Sequence, residues 1–290
     1  MAKAKDWIGT LRLKTLPASV MPVVIASALA YNEEKYDSII ASIILLCSIF
    51  IQLLTNFYNE IYDFKKGADT DDRLGPKRAI ASGTISIKSM WIVSILLLII
   101  TFSLGLYLVN IGGLPILIIG IISLILSWAY TGGPFPLAYK GLGDIFVLIF
   151  FGLIAVNGSY YLFTGKINEI SIIASTVPGF LSMNILAVNN IRDIDTDKLV
   201  GKLTMAVRLG RGYSIKIYSI IIALTYSAVF IHSVLIDNFN ILLPFTTFPL
   251  AILNLKALQN NYGENLNPVL AKNGIFLAIF GILYTLGIVL

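Results

Sequence analysis

The chain has 290 residues, of which 57% are hydrophobic and only 13% charged, with a net charge of +5 and one cysteine. An ordinary soluble domain carries about 25% charged residues and is excluded, as are a disulfide framework and a cysteine metal site. In so apolar a chain the basic excess reports topology first, so nucleic-acid binding is not expected.

Residues 1–14 hold no apolar core followed by a small-residue cleavage site, and no cleavable signal is expected. Apolar stretches then recur at 15–31, 38–58, 89–109, 111–131, 143–163, 170–191, 214–236, 239–256 and 273–290. Each is about long enough to cross the hydrocarbon layer. The stretch 239–256 contains Pro244 and Pro249, which membrane helices tolerate when neighbours satisfy the freed carbonyls. With the N-terminus cytoplasmic, all of the 21 lysines and arginines except Lys35 and Lys166 fall on alternate, cytoplasmic segments. The expected fold is an all-α integral membrane protein, a bundle of nine transmembrane helices with a cytoplasmic N-terminus, forming one domain over residues 1–290. Tyr31, Tyr36, Tyr107, Tyr160 and Tyr161 lie near helix ends, as interfacial anchors do.

Two cytoplasmic segments, 59–88 and 192–213, are longer and more polar than the rest, and function is expected there. Gln52, Asn56, Asn59 and Asp63 are spaced i, i+4, i+7 and i+11, one helical stripe. Asn189, Asp193 and Asp197 form a second stripe at i, i+4 and i+8. Asn-x-x-x-Asp thus occurs twice, four spans apart, which suggests two pseudo-repeated halves. Carboxylates at helix C-termini oppose the macrodipole, and polar groups reaching into an apolar span are costly without a partner. A divalent cation supplies one. All-oxygen ligands favour Mg²⁺ over Zn²⁺, and Mg²⁺ completes its shell with water and substrate phosphate. Two facing clusters suit a bridged diphosphate. Among the interleaved basic residues Lys65, Lys66, Arg73, Lys77, Arg78, Arg192, Lys198, Lys202 and Arg208, Arg192 is the first candidate anion ligand, beside Asp193. Arg12 and Lys14 come next.

The motifs Asn59-x3-Asp63-x5-Asp69 and Asp193-x3-Asp197-x3-Gly201 resemble the paired aspartate motifs of the UbiA superfamily of intramembrane aromatic prenyltransferases. The runs Arg12 to Ser19, Arg73 to Ala79, Tyr130 to Pro134 with Gly141 to Asp144, Asn189 to Ile194, and Leu266 to Pro268 are similar to its menaquinone-pathway branch, the 1,4-dihydroxy-2-naphthoate polyprenyltransferases. Glu60 stands where that family usually has Asp, and Leu13 where it has Pro. The Lys-Arg pair usual near this region in the 4-hydroxybenzoate members is absent.

The resemblance implies transfer of a polyprenyl group from polyprenyl diphosphate to 1,4-dihydroxy-2-naphthoate, with decarboxylation, in a cytoplasmic, energy-transducing membrane. The active site would face the cytoplasm. It implies Mg²⁺ on Asn59, Asp63, Asp193 and Asp197, assisted by Asp69, and diphosphate on Arg192, Lys14, Arg12, Arg73, Lys77, Arg78 and Lys198. Tyr58, Tyr62 and Tyr130 are candidates to face an allylic cation. Asp144 is a candidate contributor to chemistry at the acceptor, though the sequence singles out no base. Gly152, Gly158 and Ser159 could leave room for the isoprenoid, and His232 is given no role. The alternatives are a family member using 4-hydroxybenzoate or a glycerol phosphate, and a cation-coupled transporter. The transporter is disfavoured because no span carries an acid near its midpoint.

Overall fold

The computed structural model describes residues 3–69 and 73–290. Among these there is no strand. The helices in chain order are α1 Ala4–Leu11, α2 Pro17–Asn32, α3 Ser38–Lys65, α4 Ile87–Ala129, α5 Gly143–Leu148, α6 Ala155–Thr164, α7 Glu169–Arg192, α8 Ile194–Leu199, α9 Met205–Leu235, α10 Phe248–Asn260 and α11 Asn267–Val289. A π-helical stretch, Ile149–Ile154, joins α5 to α6, and a 3₁₀ stretch, Phe239–Thr247, leads into α10.

Helix starts are set by side chains that take up free backbone amides. The Asp37 carboxylate accepts from the amides of Ile39 and Ile40 at 2.8 and 2.9 Å. Ser86 accepts from Ser89, and Asn168 from Ser171. Pro17 opens α2 at a position where its missing N–H costs nothing.

α4 is 43 residues long, about 64 Å if straight and twice what a bilayer needs. It is not straight. Gly113 has φ 65° and ψ −152°, outside helical values. Both ends of α4 return to one face: Met90 packs with Phe57 and Ile61, while Thr131, just past the other end, bonds Asn59. Leu108 and Ile116, flanking the break, share a cluster with Val23, Ile44 and Leu162 at the opposite face. α4 is therefore a hairpin of two arms. The sequence placed this reversal at Asn110; it falls at Gly113, where glycine alone adopts that backbone cheaply.

α7 is the central helix, packed against α2, α5, α9 and α11. Ala174 and Val177 on it are fully buried, together with Val156, Val229 and Phe280 of its neighbours. Gly152 and Gly179 let the π-helical stretch touch α7 backbone to backbone; a Cβ on Gly152 would meet the Ser175 carbonyl at 2.7 Å. Such close crossings are how helices associate in lipid. The outer surface is apolar, with Ile95, Ile99, Ile122 and Leu253 among the exposed residues. Among the described residues seven helical stretches are long and apolar enough to cross a membrane, with α1–α2 forming a further pair bent by 54°. This is a multi-pass membrane protein. One face carries the segments 66–69, 73–86, 130–142 and 193–204, and these roof the site.

Candidate active site

α3 continues beyond its apolar stretch to Lys65, because nothing in residues 58–65 breaks a helix. Gly67, at φ 68°, ends it, its amide bonding the Phe64 carbonyl. The continuation carries Gln52, Asn56, Asn59 and Asp63 down one wall of a cavity of about 420 Å³. Facing them, α7 stops at Arg192 and α8 restarts at Ile194, with Asp193 at the break. Asn189, Asn190, Asp193 and Asp197 line the cavity from that side. The two sequence motifs therefore meet across one space.

Each motif carboxylate is held by a cation. Asp63 accepts from Arg78 Nη2 at 2.6 Å and from the Tyr139 hydroxyl at 2.7 Å. Asp69 pairs with Arg73 at 2.9 Å and with Arg78 at 3.1 Å. Asp193 takes both Nε and Nη2 of Arg192, at 2.7 and 2.6 Å. Asp197 accepts from Lys202 at 3.1 Å. Asn59 accepts from the Thr131 hydroxyl at 2.7 Å. Burial raises the carboxyl of Asp69 against the pull of Arg78 and Arg73. Burial likewise pushes Asp197 up to about 6, against the pull of Lys202.

Of the expected diphosphate ligands, Arg12, Arg73 and Arg78 line the cavity, whereas Lys14, Lys77 and Lys198 are exposed and lie outside its lining. Arg12 has φ 51°, a left-handed backbone rare outside glycine, and no acid lies within ion-pair distance of it among the described residues. Its charge is available to a ligand. Arg192 is committed instead: besides Asp193 it reaches Asn189 and Asn267, and Asn267 bonds the Leu74 carbonyl. It positions the second motif and pins the roof. Gly75 belongs to that roof, where a Cβ would meet the Arg192 guanidinium at 3.1 Å. Glu60 faces away from the cavity and accepts from the Ile80 amide. Of the expected aromatic faces only Tyr130 lines the cavity; Tyr58 and Tyr62 pack on Trp91.

Sequence reasoning marked the stretch Thr131 to Asp144 as bordering the acceptor without assigning Thr131 or Tyr139 a role, and it missed Phe146 and Phe150. A tyrosine and a threonine inside a Gly- and Pro-rich polar loop are the only signals the first two leave. Phe146 and Phe150 stack at 6.2 Å and both line the cavity; they are four residues apart on one helix face, a spacing that stands out from nothing in a span as apolar as 145–156.

The donors suit a hard cation. They are carboxylate and amide oxygens, and Asp197 Oδ2 is buried with no hydrogen-bond partner; Asp69 Oδ2 is likewise without one, but Asp69 lies behind the cavity lining. Among the described residues no three acids converge as a ready-made cage. Away from the acids the cavity turns apolar and runs the depth of the bundle. It ends on Val23, Ile44, Cys47, Leu108, Ile116 and Leu162.

The UbiA prenyltransferase family profile matches residues 19–280. A Haemophilus influenzae protein named 1,4-dihydroxy-2-naphthoate octaprenyltransferase is 36% identical over 300 residues, covering 99% of this chain and 97% of its own. An Escherichia coli protein of the same name is 36% identical over 216 residues, 72% of this chain and 70% of its own. The structure of a UbiA homolog from Archaeoglobus fulgidus bound to DMAPP and Mg²⁺ superposes with a TM-score of 0.67, covering 98% of this chain and 99% of that one. At 17% identity, that likeness is one of fold.

Proposed function

The chain belongs to the UbiA prenyltransferase family, and from that premise we propose that it transfers a polyprenyl group from polyprenyl diphosphate to 1,4-dihydroxy-2-naphthoate, with loss of carbon dioxide, giving demethylmenaquinol. The observation that carries the reading is the single cavity that joins an acid-and-arginine end to an apolar tunnel. A diphosphate fits the first and an isoprenoid the second. The acceptor follows from the relatives named for naphthoate.

Asn59, Asp63, Asp193 and Asp197 would hold Mg²⁺, with Asp69 assisting, and the bound ion would offset the charge gathering on the departing diphosphate. Arg12, Arg73, Arg78 and Lys202 bind diphosphate oxygens from the same end of the cavity. Arg192 keeps the second motif in place. Tyr130, Phe146 and Phe150 present ring faces to the electron-poor prenyl carbon. The roof of 73–85 and 130–142 keeps water from that carbon.

The topology proposed is nine spans with the N-terminus and the site on the cytoplasmic side of the cytoplasmic membrane. The two arms of α4 count separately and α1–α2 counts as one. The residues form one domain of two pseudo-repeated halves, a reading supported by the recurrence of Asn-x-x-x-Asp. Purified protein offered polyprenyl diphosphate with naphthoate, 4-hydroxybenzoate or a glycerol phosphate tests the acceptor. Product with naphthoate alone is expected; turnover of another acceptor in its place rejects the assignment.

A further inference from the structure

Asp144 is the acid of the cavity that the motifs leave unused. It lies in the first turn of α5, is 4% exposed, and lines the main cavity. Asp63, Asp69, Asp193 and Asp197 each have a cation within 3.1 Å. Asp144 has none within ion-pair distance among the described residues, and no described side chain donates to it. Neither of its oxygens is among the fully enclosed polar atoms without a partner, so the carboxylate keeps some open surface, and Asp144 lines the main cavity.

Its surroundings are built for a ring bearing a hydroxyl. Tyr130 lies alongside, where a Cβ on Gly143 would meet its hydroxyl oxygen at 3.0 Å; only a glycine before Asp144 lets that ring approach. Leu186 closes the same corner. On its other side Asp144 borders a second cavity of about 10 Å³, shared with Asn190 and Ser214 between α7 and α9. That is about the space of one water, with three polar partners around it. Asp144 thus stands between the reaction space and a polar niche able to steady its charge.

We propose that Asp144 is the base that takes the hydroxyl proton of the acceptor as the ring attacks. The assignment rests on the acceptor reading above. The acceptor O–H bond breaks and its proton passes to the Asp144 carboxylate. The O–H electron pair becomes the π bond of a carbonyl. The ring pair it displaces forms the bond to the prenyl carbon, whose C–O pair leaves with the diphosphate. An unpaired carboxylate suits this task; one held by arginine or lysine is a weaker base. The four motif carboxylates are so held, which leaves them to the diphosphate.

The test compares wild type with Asp144→Asn and Asp144→Glu in two measurements. The first is Mg²⁺-dependent binding of geranyl thiolodiphosphate, an unreactive donor analogue. The second is kcat for a series of 1,4-dihydroxynaphthoates of graded hydroxyl acidity. Asp144→Asn should bind the thiolodiphosphate within about threefold of wild type while kcat falls by about 100-fold or more. Its residual rate should climb steeply with acceptor acidity, which wild type does not require. Asp144→Glu, carrying the test should the amide variant not fold, should keep the shallow dependence at roughly a tenth of the rate. A kcat within about fivefold of wild type in Asp144→Asn, a loss in Asp144→Asn equal for every acceptor, or a steep dependence on acceptor acidity in Asp144→Glu overturns the assignment alone. A wild type that binds the thiolodiphosphate yet prenylates no naphthol overturns the acceptor reading and the base with it.

Discussion

Arg12 and Lys77 are both cations near the site, but only one faces it. Arg12 lines the cavity with no carboxylate partner among the described residues, while Lys77 and Lys198 are exposed outside it. A charge-assisted hydrogen bond contributes about 1.5–3 kcal/mol. Arg12→Ala should therefore raise the KM for polyprenyl diphosphate at least about tenfold, and Lys77→Ala and Lys198→Ala should change it less than about twofold in steady-state assays. Equal effects would show that the diphosphate sits outside the cavity. The acids of this site were legible in the sequence because helical spacing alone puts Asn59 and Asp63, and Asn189 and Asp193, on single stripes. The division of labour among the cations was not. Whether Arg192 faces a ligand or Asp193 and Asn267 depends on a contact 75 residues away in sequence, and spacing carries no such information.

At the scale of elements, two packing features set the shape of the reaction space. The first is the crossing of the π-helical stretch on α7, where a Cβ on Gly179 would meet Leu148 Cδ1 at 2.8 Å and the Leu148 carbonyl at 3.1 Å. Gly179→Leu should destabilise the protein by overpacking, by about 1–3 kcal/mol, seen as a lower midpoint of thermal unfolding in detergent. An unchanged midpoint would mean the two helices are not in backbone contact. The second feature is the floor of the tunnel. Cys47 is buried beside Ile44, Leu108 and Ile116, so Cys47→Trp should fill the apolar end and shorten the space for the isoprenoid. Turnover of long polyprenyl diphosphates should fall at least about tenfold while geranyl diphosphate is used as before. Equal loss with both donors would place the isoprenoid elsewhere. Hydropathy located the apolar elements within a few residues. It gave the reversal within α4 as well, but at Asn110 rather than Gly113, since Ile111 to Leu117 is as apolar as its flanks; it did not give the π-turn, which leaves no periodic mark of its own.

On the scale of the whole molecule, charge orders everything else. Lys35 and Lys166 are the two basic residues on the face away from the acids, and Lys166 there pairs with Glu33 at 2.8 Å. With the single cysteine replaced as Cys47→Ser, a Lys166→Cys variant in intact cells should react with a membrane-impermeant thiol reagent. A Lys77→Cys variant should react only after the membrane is opened. The reverse pattern would invert the proposed topology. Charge alternation led to the expectation of two unlike faces, and the paired motifs to that of facing clusters; the fold adds that both motifs line one cavity. That meeting is the central claim. It is tested most directly by carbon dioxide release and prenylated product measured together, from purified protein given 1,4-dihydroxy-2-naphthoate and a polyprenyl diphosphate with Mg²⁺ or EDTA, beside Asp63→Asn and Asp193→Asn. The account predicts equimolar carbon dioxide and prenylated naphthoquinol in wild type, both lost with EDTA and reduced about 100-fold or more in each variant. Full product from either variant, or product unaffected by EDTA, would contradict it.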